Sequence, residues 1–143
     1  MRNRSSLMLM EQLLMILVFS LACAVCLQVF VKGDRISRQT AQKDMAVSLA
    51  QNAAEIMKGA AGDLETAALQ IGAVAEDTCW KAYYDENGRL AQNPEEIRFH
   101  VECVMSSRRL PFLGEASIQV FCTDDLDAPL FTLPVAWQEM KQF

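Results

Sequence analysis

The chain is nearly without histidine. His100 is the only one among its 143 residues, and no zinc constellation forms around it. A Ser/His/Asp set drawn around one imidazole has nothing in the sequence to fix its geometry. There is no glycine-rich phosphate loop and no HExxH, so the chemistry of those motifs is not expected. These absences point away from an enzyme, and no cofactor is expected. Positive charge is also scarce. Thirteen Lys and Arg stand against eighteen Asp and Glu, a formal net charge of −5. That argues against a nucleic-acid surface and leaves only a local basic patch open.

The five cysteines make no framework. Cys23 and Cys26 have CxxC spacing, but they lie in apolar surroundings without the strand context of a redox site, and read as small hydrophobes. Cys79, Cys103 and Cys122 fall in the C-terminal part, and three thiols cannot all pair. One disulfide, between Cys103 and Cys122, is open if the two face each other in a sheet. Buried free thiols are the alternative.

What the sequence does have is one long apolar run. Residues 13–31 are nineteen positions without a charge, and Gln28 is their only strongly polar side chain. As a helix they would extend about 28 Å, close to the hydrocarbon thickness of a bilayer. Twelve of them are Leu, Ile, Val or Phe. At roughly 0.3–0.6 kcal/mol each, these favour insertion by on the order of 5 kcal/mol. A carboxylate costs up to about 3 kcal/mol at the bilayer centre and less near its edge. Insertion therefore wins with Glu11 included, and the question becomes why an acid stands at the head of the run.

The order Ser6-Leu7-Met8-Leu9-Met10-Glu11 resembles the start of a type IV prepilin or pseudopilin. The resemblance implies a leader over residues 1–6, with Arg2 and Arg4 as its charges, and a prepilin peptidase that cuts between Ser6 and Leu7. Leu7 would become the methylated first mature residue. Glu11 falls at the fifth mature place, where the family has its register-setting Glu. Ser6 stands where Gly is usual, and Met8 and Leu9 replace the usual Thr and Leu. The physical basis is that cleavage exposes a cationic amine, which the carboxylate of a neighbouring subunit can neutralise. A buried ion needs such a partner. The alternative is an ordinary anchor, with Glu11 at the headgroup level and no specific role. A third reading is a secretory signal or a poor lipobox at Ser20-Leu21-Ala22-Cys23. Against it, the apolar run continues for eight residues beyond Cys23.

The expected organisation is a leader at 1–6, a membrane-spanning half-helix at 7–31, an outer half at 32–62 and a globular head at 63–143. Basic residues before the span place the N-terminus in the cytoplasm and the head outside. Residues 34–45 are polar on nearly every face. From Ala46 onward, Ala46, Leu49, Ala50, Ala53, Ile56, Met57 and Ala60 make one apolar helical stripe, with Ser48, Gln51, Asn52 and Glu55 opposite. The segment 59–62 ends that helix. Asp63 is an N-cap for a short second helix carrying Leu64, Ala67, Ala68 and Ile71, ended at Gly72.

The period then changes to two. Strands are expected at 78–84, 97–105, 115–123 and 130–137, with a turn at Asn87-Gly88 and a short return strand at 89–91. Phe99, Val101, Cys103 and Met105 should share a face, as should Ala116, Ile118, Val120 and Cys122, and then Phe131, Leu133, Val135 and Trp137. His100 falls on the polar face. Pro134 cannot donate to a ladder, which puts the last strand at an edge. Helix first and sheet after predicts an α+β fold, a long N-terminal helix packed on a small antiparallel β-meander. The resemblance implies the same architecture. Three outer features have plain readings beside sharper ones. Asp124, Asp125 and Asp127 form an acidic turn without the spacing of a calcium loop. Arg108 and Arg109 form a solvated basic loop. Trp80, Tyr83 and Tyr84 are core aromatics more readily than a recognition strip.

The function expected from the resemblance is a minor pilin or pseudopilin-like subunit of a type IV pilus, competence or type II secretion-like machine. Its partners would be other subunits, the prepilin peptidase, an assembly platform and the membrane. Few aromatics and no evident ligand site favour a low-copy assembly part over an adhesin. The rival is a bitopic anchored domain that binds a partner outside the membrane and never polymerises.

Overall fold

The computed structural model describes residues 2–106 and 112–138; Arg108 and Arg109 lie outside the described residues. The chain falls into two compact units, residues 1–41 and 42–143. The fold is α+β, as expected. Helix α1 spans Arg2–Gly59 and helix α2 Leu64–Ile71. The strands are β1 at Val74–Ala75, β2 at Cys79–Tyr84, β3 at Phe99–Met105, β4 at Leu113–Cys122 and β5 at Phe131–Gln138.

The first unit is helical over its described length. Nothing in residues 2–6 breaks the backbone pattern, so the segment read as a leader is continuous with α1. Residues 7–31 pack against nothing in their own unit, and every large apolar side chain there is exposed. Ser20 donates from Oγ to the carbonyl of Ile16 at 2.8 Å. This back-bonding satisfies the one hydroxyl of the run without a partner from elsewhere.

In the second unit the end of α1 covers one face of the sheet. Ala46, Leu49, Ala50, Ala53, Ala54 and Met57 are buried there, while Ser48, Gln51, Asn52 and Glu55 are exposed. Four of the six buried residues are alanine, and Met57 reaches Trp80 of β2. Ile56 and Ala60 sit at the margin of the core. The helix ends where the amide of Gly62 donates to the carbonyl of Met57 at 3.1 Å. Asp63 then caps α2, accepting from the Glu65 amide at 3.2 Å and from the Thr66 hydroxyl. Gly72 closes α2 in the left-handed region at φ 75°, which glycine adopts without a Cβ penalty.

The five strands are antiparallel in the order β1-β2-β3-β4-β5, a pure meander. Register puts Trp80 opposite Cys103, Cys103 opposite Ile118 and Ile118 opposite Leu133. The next row down is Ala82, Val101, Val120 and Phe131. These two rows form the floor of the core beneath α1. Trp80 is wholly buried, and its indole N–H points at Met57 Sδ, 3.3 Å away. At the far end Trp137 lies on Gly114, where a Cβ would come within 2.3 Å of the indole.

Two expectations changed. The return strand at 89–91 is a single bridge between Tyr84 and Leu90. Pro94 starts a 3₁₀ turn at Pro94–Glu96 instead, and β3 takes the place beside β2. The two-residue strand β1 was not anticipated, since too few residues carry a period. The expected edge position of Pro134 holds, because β5 ends the sheet.

Candidate functional site

The candidate site is the head of the apolar helical run. Leu7 and Glu11 are one helical turn apart, so both lie on one face of α1. Ser6, Leu7 and Glu11 are all exposed. From Leu7 at 65% exposed to Phe30 at 82%, the run presents large apolar side chains around its whole circumference. A soluble surface does not leave such an area open. It is the one described helix long and apolar enough to cross a membrane. Among the described residues no cation stands within ion-pair distance of Glu11. In lipid this carboxylate would have no neutralising group from its own described chain.

Beyond the run come Lys32, Asp34, Arg35 and Arg38. Arg38 donates to Asp34 at 3.0 Å, with both side chains mostly in solvent, so the pair contributes little to stability.

Cys103 and Cys122 are both buried and both free. Cys103 pairs with Ile118 across β3 and β4, and Cys122 pairs with Phe99. Four positions along a strand is about 13 Å, well beyond disulfide reach. The register thus favours the free-thiol alternative. Burial pushes the Cys103 thiol up to about 12. Burial and the Glu76 carboxylate also raise the Cys79 thiol, which donates to Glu76 at 3.3 Å. Thiols held in the protonated form are poor nucleophiles. Cys23 and Cys26 are exposed on the apolar run. The Asp124–Asp127 turn is solvated, and Asp124 faces Arg98 at 3.9 Å. No group of three or more His, Cys, Asp or Glu among the described residues is placed to hold a metal.

The solvent-facing side of the sheet carries an arrangement that sequence reading did not anticipate. Lys81 lies between Glu76 at 3.4 Å and Glu102 at 3.8 Å. Next to it Tyr83, His100 and Phe121 stack across three strands, with ring centroids 5.0 and 5.7 Å apart. Their sequence separations give no signal; only the register aligns them. The three rings stand in one row across β2, β3 and β4. Trp80 is inside the core, Tyr84 packs at its margin, and Tyr83 alone of the three faces outward.

His100 Nε2 is buried without a hydrogen-bond partner. Desolvation lowers the His100 pKa from the ordinary value of 6.5; Glu102 opposes the shift and Lys81 adds to it. The folded state therefore binds this proton less readily than the unfolded state. The stability involved is fully present above about pH 6.5 and is lost as pH falls through the folded value. The thermal midpoint of the detergent-solubilised protein is expected to fall between pH 7.5 and 5. His100→Gln should flatten that slope, and an unchanged slope in the variant would remove His100 as its source.

No family model, curated protein or solved structure matches the chain.

Proposed function

We propose that this chain is a minor pilin- or pseudopilin-like structural subunit, anchored in the cytoplasmic membrane by α1 and assembling through α1 into a type IV filament or a secretion or competence pseudopilus. The observation that carries the reading is Glu11. It is a carboxylate without a cation partner among the described residues, five positions after Ser6, at the head of a nineteen-residue uncharged run on one continuous helix. Cleavage between Ser6 and Leu7 would create the missing cation on each neighbouring copy, one turn away from Glu11 on the same face. The N-terminus lies in the cytoplasm and the α+β head outside. Other subunits, a prepilin peptidase and an assembly platform are its partners, and the head contributes surface to the assembly, not chemistry.

Processing is the direct test. The intact mass of membrane-extracted protein is expected to lack residues 1–6 and to carry one added methyl group on Leu7. A chain that keeps its first six residues in a cell with an active prepilin peptidase would favour a solitary anchored domain instead.

A further inference from the structure

The face of α1 that carries Glu11 continues along the apolar run as a distinct seam. Met15, Val18, Ala22, Val25 and Val29 follow Glu11 at spacings of four, three, four, three and four. At 3.6 residues per turn all six fall within an arc of about 80° on one unbroken helix. The seam differs in composition from the rest of the run. Residues 13–31 include eight Leu, Ile or Phe, and none of them falls on it, whereas three of the four Val do. Insertion into lipid favours all of these side chains, so it does not sort them by face. Helix packing does: lipid is as apolar as leucine, and helices associate there through close contact at smaller side chains and through polar pairs.

The seam also has a shape. Leu14, Met15, Val18, Phe19 and Ala22 line a shallow apolar hollow, and all five are exposed. Four of them, Met15, Val18, Phe19 and Ala22, stand at i, i+3, i+4 and i+7. That is the four-residue hole into which a facing helix inserts one side chain as a knob. Alternating spacings of four and three keep such holes in line and wind two helices left-handed, at a crossing angle of about 20°.

We infer that this seam seats the N-terminal helix of a different processed subunit, with an apolar knob of that helix in the hollow. The inference rests on reading the chain as a subunit whose Glu11 takes a neighbour's cationic amine, and it adds the face and the register. The occupant follows from charge and continuity. Glu11 has no cation within ion-pair distance among the described residues, and a processed N-terminus supplies one. The helix behind that amine then runs along the side chains next to Glu11, which are those of the seam. A low-copy part meets other subunits there and not its own copies. Register follows from the helical rise, since both helices enter the bilayer in the same direction. The hollow is centred about 11 Å beyond Glu11. At that depth the partner presents roughly its eighth or ninth residue, counted from its amine.

The test uses the full-length tagged protein in membranes, with benzoylphenylalanine in place of Leu14 at the rim of the hollow or of Ile16 on the other side of the helix. Adducts are mapped by mass spectrometry. From position 14 they are expected on a different subunit, near the eighth or ninth residue from its processed N-terminus; from position 16 that adduct should be absent. Ala22→Phe fills the hollow and should cut the adduct from position 14 about tenfold. Ala24→Phe makes the same change on the far side and should leave it intact. Both variants keep the run apolar, so membrane fractionation should not change. Equal effects of the two variants would overturn the inference, as would adducts from position 14 confined to phospholipid or to further copies of this chain. If Glu11-dependent co-assembly persists in those cases, the subunit reading stands without the seam. A chain that associates with no processed subunit would overturn both.

Discussion

Glu11→Ala is expected to leave the chain in the membrane and abolish its co-assembly. The two halves of this result have separate causes. Removing a carboxylate from the edge of an apolar run can only favour insertion, by up to about 3 kcal/mol at the bilayer centre and less at its margin. In the proposed bundle the same change would leave the neighbour's cationic amine without its anion in a low-dielectric environment. Breaking one partner of a buried pair costs about 3–5 kcal/mol, which is a factor of more than about a hundred in association. Recovery of tagged Glu11→Ala with untagged unmodified subunits should therefore fall to background, while membrane fractionation stays unchanged. Glu11→Asp should recover part of the association because it restores the charge with a shorter reach. Normal incorporation of the alanine variant would sink the proposed role of Glu11.

The second large effect concerns the head. Trp80→Ala is expected to destabilise the second unit by about 3–5 kcal/mol, the range for deleting a buried aromatic side chain. Trp80 is 0% exposed, and it touches Met57 of α1 from the centre of the sheet. Its loss opens a cavity between the two layers, where the alanines of α1 are too short to fill it. A domain of this size has roughly 5–15 kcal/mol to lose, so the thermal midpoint should drop by on the order of 15–25 °C. Leu69→Ala is the matched control. Leu69 is 83% exposed, and its truncation should stay within about 0.5 kcal/mol. Near-ultraviolet circular dichroism of the solubilised full chain reads both. A Trp80→Ala midpoint within a few degrees of the unmodified protein would refute the proposed core.

Much of the architecture is visible in residue order alone, because it follows from local periodicity. The nineteen uncharged residues needed nothing else to define a span-length helix. The stripe from Ala46 to Met57 marked the face that α1 buries, and the alternation through Phe99, Val101 and Cys103 marked a strand with one face inward. Asp63 and Gly72 set the ends of α2 through backbone hydrogen bonding within a turn. Pro134 identified an edge because it has no amide to donate.

The candidate site divides the same way. The spacing from Ser6 to Glu11 is a property of the chain order, and no tertiary contact alters it. Long-range register, by contrast, follows from the packing of five strands on one helix, and no single strand encodes it. That packing separated Cys103 from Cys122 by four positions along the ladder and left both as free thiols. It also reduced the return strand at 89–91 to one bridge, since β3 offered a longer pairing to β2. The same packing stacked Tyr83, His100 and Phe121 and set Lys81 between two carboxylates. Periodicity is a short-range consequence of backbone geometry, so it can be read along the chain. Which side chains meet across strands depends on the simultaneous burial of all the inner faces, and that sum exists only in the folded head.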